Sequence, residues 1–182
     1  MCDNDADKIV TNKGKSLWLG NAKAALDYEF LKENNISIIV NCTPDIPFVY
    51  QNTDNNEYMN FETIRIPMND TSSESDNNIL KNNLKHVIKF ISLKFFHEKK
   101  NVLIHCRAGV SRSASVMLAF LFYSIKKNIK QNNFISELSD DDIIKNIINY
   151  MWKRRSCVFF YGTRLNFKKA LDDYFNTDIS VY

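Results

Sequence analysis

The chain has 182 residues, 45% of them hydrophobic and 13% aromatic, with a formal net charge of +3. This is enough apolar material for one real core and too much for disorder, and a mild charge without an arginine-rich run gives no support to nucleic-acid binding. No apolar span reaches membrane length, the polar opening "MCDNDADK" is no secretory h-region, and four scattered cysteines without C-x-x-C exclude a disulfide scaffold or zinc knuckle.

A reducing, intracellular setting is therefore expected, cytoplasmic or also nuclear, with no membrane contact. Along the chain, "SLWLG" reads as a short strand ending at Gly20, followed by a helix over "AKAALDYEFLKEN". "ISIIVNCT" is a second buried strand, cut off at Pro44. Residues 45–60, which follow Pro44 and hold Pro47 and several Asn, read as an irregular loop. "FETIRIP" alternates as a third strand stopped by Pro67. From Ile79 the positions Leu80, Leu84, Val87, Ile88, Ile91 and Phe95 repeat at helical spacing.

The run Val102-Leu103-Ile104 is a buried strand, and Ser113–Lys127, free of Gly and Pro, is a buried helix. After the polar segment "NIKQNNFISELSDDD" a helix is expected over Asp142–Arg154, with Ser139 and Asp140 as candidate caps, and a last helix over Leu165–Phe175. Strands alternating with helices predict a single α/β domain over residues 1–182, with its core at about 15–176.

Between the strand at 102–104 and the helix at 113 lies "HCRAGVSRS", in which five residues separate Cys106 from Arg112. The strand-to-helix junction puts Cys106 among backbone N–H groups carrying partial positive charge. A free thiol of pKa ~8.5 is only about 3% thiolate at pH 7, and a helix N-terminus with a nearby cation brings it to ~5 or 6. Successive N–H groups suit a tetrahedral dianion, and the Arg112 fork can grip two of its oxygens. Nucleophile, anion cradle and clamp together describe attack on phosphorus. A lone Cys would read as one more buried small hydrophobe; His105, Gly109 and Arg112 at these offsets argue otherwise.

With those residues in place, "HCRAGVSRS" resembles the His-Cys-x5-Arg-Ser/Thr signature of the cysteine-based protein tyrosine phosphatases, and most closely the small dual-specificity phosphatases. "LWLGNAKAAL", "IIVNCT", "IRIPMNDTSS" and "YMWKRRS" resemble flanking family segments and fall in the family's order. The resemblance implies a phosphatase-like fold with a central, mostly parallel sheet flanked by helices. It also implies a two-step reaction through a cysteinyl phosphate on Cys106, with no metal or other cofactor.

The phosphate would sit on the loop Arg107, Ala108, Gly109, Val110, Ser111 and Arg112, and Ser113 would steady the departing thiolate. Ser113 also suits a helix cap, and Gly109 a backbone conformation closed to other residues. His105 reads as a buried group orienting the loop. Asp70, 36 residues before Cys106 on the loop after Pro67, is the candidate general acid, with Glu74 and Asp76 competing on the same loop.

The resemblance also implies a second anion site at the pocket rim for Arg155, against the plain reading of a solvated charge at a helix end. A loop-bracing Asn of the family falls on Arg164 if Phe167 and Leu171 keep the family register, and on Asn166 if the gap is shifted. The stretch 129–142 reads as a surface insertion. Cys42 is either a buried strand-end thiol or a redox partner of Cys106.

The expected function is hydrolysis of phosphotyrosine and phosphoserine/phosphothreonine in phosphoprotein substrates, because a chain of this length has no room for a pocket-deepening insert. Other readings are a phosphatase of RNA 5′-triphosphate or phosphoinositide, or a non-catalytic phosphopeptide-binding relative, which would be expected to have lost the Cys, Arg or acid. Sulfur transfer fits less well, because its loop is commonly one residue shorter. Oligomeric state has no signature in the sequence.

Overall fold

The computed structural model describes residues 2–49, 60–71, 73–131, 138–159 and 167–175. Five strands form one sheet: β1 (Ala6–Asn12), β2 (Lys15–Gly20), β3 (Ile36–Asn41), β4 (Glu62–Arg65) and β5 (Asn101–His105). Their order is β1-β2-β5-β3-β4, and only the β1–β2 pair is antiparallel. The central strands β2, β5 and β3 carry unbroken apolar runs because both faces of a parallel sheet are covered.

Side chains alternate across β5. Val102 and Ile104 join the larger core under the C-terminal helices, while Leu103 joins a smaller cluster with Trp18, Ala25, Leu31 and Ile39. On β3 the register shifts between Ile36 and Ile38. That extra residue sends Ile36 to the same face as Ile39.

On one face lie α1 (Ala22–Leu26) and α2 (Tyr28–Glu33). The expected single helix over 22–34 is broken at Asp27, whose extended backbone lets its carboxylate accept the Phe30 N–H and cap α2. A short polar side chain that competes for backbone donors favours such a break. On the other face lie α3 (Glu74–Ser92), which runs into a π-helical turn at Leu93–His97, then α4 (Arg112–Gln131), α5 (Asp140–Trp152) and α6 (Lys168–Phe175). α3 begins five residues before the apolar stripe, capped by Ser73, which accepts the Asp76 N–H. Ser139 caps α5 in the same way, through Asp142 N–H.

β1 was not expected from the sequence. It is an edge strand with one buried apolar side chain, Ile9, so its hydrophobic signal is weak. A two-residue turn joins it to β2, with Lys13 at φ +47° and Gly14 at φ +77°, the pair of left-handed residues that tight hairpins require. Cys2 and Cys157 form a disulfide with Cα atoms 5.2 Å apart, a pairing that their spacing in the sequence did not announce. Arg164, Asn166, most of residues 50–60 and much of the 129–142 stretch lie outside the described residues. No helix among the described residues is long and apolar enough to cross a membrane.

Candidate active site

β2, β5 and β3 all end at the same edge of the sheet, where open α/β sheets receive ligands. From there residues 106–111 loop over to the first turn of α4. Cys106 is buried at the base of this loop. Its Sγ accepts the Gly109 N–H and the Ser113 hydroxyl, each at 3.2 Å. Both donors stabilise negative charge on sulfur.

The loop's carbonyls turn outward, and each has a partner. Arg107 O accepts Ala22 N–H at 3.1 Å, Val110 O accepts Phe159 N–H at 3.0 Å, and Ser111 O accepts Ser115 N–H at 2.8 Å. Between them, Ala108 O and Gly109 O accept from the Arg155 guanidinium at 3.4 and 3.0 Å. A trans peptide points its N–H opposite its C=O, and the described residues contain no cis bond. Outward carbonyls at 107–111 therefore aim the N–H groups of 108–112 into one concavity, a ready nest for a tetrahedral anion. Gly109 sits at φ +70°, and a Cβ there would stand 2.6 Å from Gly20 O. No side chain fits.

The concavity opens into a 370 Å³ cavity lined by Pro44, Asp45, Asn69, Asp70, Arg107, Ala108 and Arg112. Arg112 is buried, and its Nη1 donates to Met68 O at 3.0 Å. Its Nη2 lies 3.5 Å from the Asp70 carboxylate, and its buried Nε has no acceptor among the described residues. Asp70 is partly exposed at the wall of the same cavity.

Of its two sequence rivals, Glu74 points to solvent with its side chain 78% exposed. Asp76 is buried and accepts the Asn69 N–H at 2.9 Å and the Thr71 hydroxyl at 2.5 Å. Burial pushes the Asp76 pKa up, but those hydrogen bonds outweigh it and hold the carboxyl below its ordinary value. An ionised acceptor clasping the residues on both sides of Asp70 fixes the loop and has no proton to give.

At the mouth, exposed Arg107 forms an ion pair with Asp45. Asp45 projects from a turn fastened by Asn41, which accepts Thr43 N–H at 3.0 Å and donates to Ile46 O at 2.8 Å. Arg65 donates to Thr43 O and Ile46 O of the same turn.

His105 is buried, and neither ring nitrogen has a hydrogen-bond partner among the described residues. Burial lowers its pKa to about 4; the adjoining Cys106 backbone partly opposes this, and the Arg65 charge adds to it. His105 is therefore neutral near pH 7 and does not titrate there. Cys42 lies one residue past the Asn41↔His105 register pair, and its N–H donates to His105 O at 2.8 Å. This sets Cys42 beside Cys106 on the neighbouring strand. Burial, and then the charge of Cys106, push the Cys42 thiol well up, with Arg112 opposing.

Arg155 departs from the rim position that the sequence suggested. Its side chain is fully enclosed and ion-paired with Asp7 at 2.7 Å. It therefore has no free face for a second anion.

Residues 17–174 match the family model described as "Dual specificity phosphatase, catalytic domain". The chain belongs to this family. Among dual-specificity phosphatases, it is 36% identical over 108 residues to Mpk3 of Drosophila melanogaster, covering 59% of this chain and 24% of that protein. To human dual specificity protein phosphatase 6 it is 30% identical over 155 residues, covering 85% of this chain and 35% of that one. The chain thus spans about a quarter to a third of these curated relatives.

The crystal structure of human DUSP28 shares the fold, with a TM-score of 0.67 at 19% identity over 94% of each chain. Three residues that frame this candidate site escaped the sequence reading: Asp7, Asp45 and, as a clasp rather than an acid, Asp76. All are short acids on polar segments, and only tertiary contacts distinguish them from solvated charge.

Proposed function

We propose that this domain hydrolyses phosphotyrosine and phosphoserine/phosphothreonine in intracellular, cytoplasmic phosphoproteins through a phosphoryl group carried on Cys106. One observation carries the reading. The Cys106 sulfur, with donors from Gly109 and Ser113, sits under a cavity whose walls hold both Arg112 and Asp70.

In the first step the Cys106 thiolate attacks phosphorus, an S–P bond forms and the P–O bond breaks. The leaving oxygen takes a proton from Asp70. The N–H groups of the 107–112 loop and the Arg112 guanidinium hold the equatorial oxygens, where charge is greatest in the transition state. In the second step the Asp70 carboxylate takes a proton from water as that water attacks phosphorus. The S–P bond breaks, and Ser113 donates to the returning thiolate.

Phosphoinositide and RNA 5′-triphosphate chemistry would call for extra positive charge at the mouth. Arg107 is instead neutralised by Asp45, which favours a substrate carrying a single phosphoryl group. A non-catalytic phosphopeptide binder is disfavoured because Cys106, Arg112 and Asp70 are all retained. Phosphate release should be measured from phosphotyrosyl and phosphothreonyl peptides, RNA 5′-triphosphate and phosphoinositides. Release from both peptides is expected. Release confined to the RNA or the lipid would overturn the reading.

A further inference from the structure

Arg155 follows α5, its N–H donating to Met151 O at 2.8 Å, and its side chain is fully buried. Burying a guanidinium is costly unless its donors are used and its charge is matched. Here the donors go to four acceptors. Nε reaches Gly109 O at 3.0 Å and Nη2 reaches Ala108 O at 3.4 Å. Nη1 is shared between Asn4 O at 3.1 Å and the Asp7 carboxylate at 2.7 Å. The other Asp7 oxygen accepts from Asn4 Nδ2 at 2.9 Å, so the carboxylate is itself held in place.

We infer that Arg155, anchored by Asp7, is a positioning residue of the phosphate-binding loop, fixing the aim of the Gly109 and Val110 N–H groups. The peptide units 108–109 and 109–110 each place their carbonyl on the guanidinium. Their N–H groups consequently face the other way, toward the cradle. For Gly109 the outcome is visible in its 3.2 Å contact with Cys106 Sγ. A cation on the carbonyl end also polarises each peptide, which strengthens its N–H as a donor.

The fit leaves no slack. A Cβ at Gly109 would stand 2.6 Å from Gly20 O and 2.7 Å from Arg155 Nη2, so the loop is wedged between the end of β2 and the guanidinium. The Cys2–Cys157 disulfide joins the two segments that supply Asp7 and Arg155.

The consequence for catalysis rests on the phosphatase reading, so the test scores anion binding apart from turnover. Arg155→Met, Arg155→Lys and Asp7→Asn are made in the full chain. Tungstate affinity is measured by calorimetry, and kcat and KM are measured on singly and doubly phosphorylated peptides. Arg155→Met should weaken tungstate binding and lower kcat by about 10²-fold, the scale of a small misplacement of catalytic groups. Lys, a point charge without the planar fork, should restore only part of this. Asp7→Asn should lose less, in the same direction.

Both peptides should lose by the same factor. A loss confined to the KM of the doubly phosphorylated peptide would make Arg155 a second anion site and overturn the inference. So would wild-type tungstate affinity in a folded Arg155→Met. If Arg155→Met does not fold, unchanged tungstate affinity in both Arg155→Lys and Asp7→Asn has the same force. A wild-type chain that binds tungstate but turns nothing over would sink the phosphatase reading, while the tungstate ratios still decide the brace.

Discussion

Asp70 stands 3.5 Å from Arg112 at the cavity wall, a place from which a carboxylic acid can meet a leaving oxygen. Asp70→Asn should slow phosphotyrosine hydrolysis by roughly 10²–10⁴-fold, the range for a positioned proton donor. The loss should shrink for an aryl phosphate with an acidic leaving group, which departs without a proton; equal losses on both would remove Asp70 from the role. His105 makes a separate prediction, about stability. Its pKa of about 4 in the fold, against 6.5 in the free side chain, means that the unfolded state takes up its proton first. Stability is therefore full above pH 6.5 and falls as pH drops toward 4, by about 3 kcal/mol. Asp76, Asp142 and Asp173 are all held below the ordinary carboxylate range, so their contributions are lost only at still lower pH. Denaturant unfolding at stepped pH should show a slope between 6.5 and 4 that His105→Asn flattens. An unchanged slope would contradict the assignment.

The acid loop shows how an element depends on a residue outside the reaction. Asp76, in the first turn of α3, holds Asn69 and Thr71 on either side of Asp70. Asp76→Asn keeps the shape but loses the ionised acceptor, a cost of about 1–3 kcal/mol for such a buried bond. Phosphotyrosine turnover should fall while tungstate affinity stays near wild type, because the cradle is untouched. Matched losses in both would mean that Asp76 supports the whole site. The elements legible in the sequence were those with unbroken apolar runs or clear apolar periodicity: β2, β3, β4, β5, the body of α3, α4, α5 and α6. The strand β1, the break at Asp27 and the polar start of α3 were not, because each is made by side chain–backbone hydrogen bonds or edge pairing that no hydrophobic pattern records. The loop from Cys106 to Ser113 was legible for the opposite reason, since phosphate chemistry leaves few residue choices at each position.

Over the whole molecule, the site depends on contacts between distant parts of the chain. Asp7 and Arg155, 148 residues apart, meet behind the phosphate-binding loop. Asp45 and Arg107 meet across its mouth, and Met68 O fixes Arg112 from the acid loop. Such pairings cannot be read from spacing, which is why Arg155 read as a solvated charge or rim residue in sequence and proved to be the largest fully buried side chain among the described residues. The central claim is that phosphoryl transfer passes through the Cys106 sulfur. Ser113→Ala removes the hydroxyl that meets this sulfur and should slow the second step, so that the intermediate accumulates on an aryl phosphate with an acidic leaving group. Acid quenching and peptide mapping of that variant should recover a phosphoryl group on the Cys106 peptide, and Cys106→Ser should show no turnover. A phosphoryl group on any other residue, or turnover persisting in Cys106→Ser, would contradict the account.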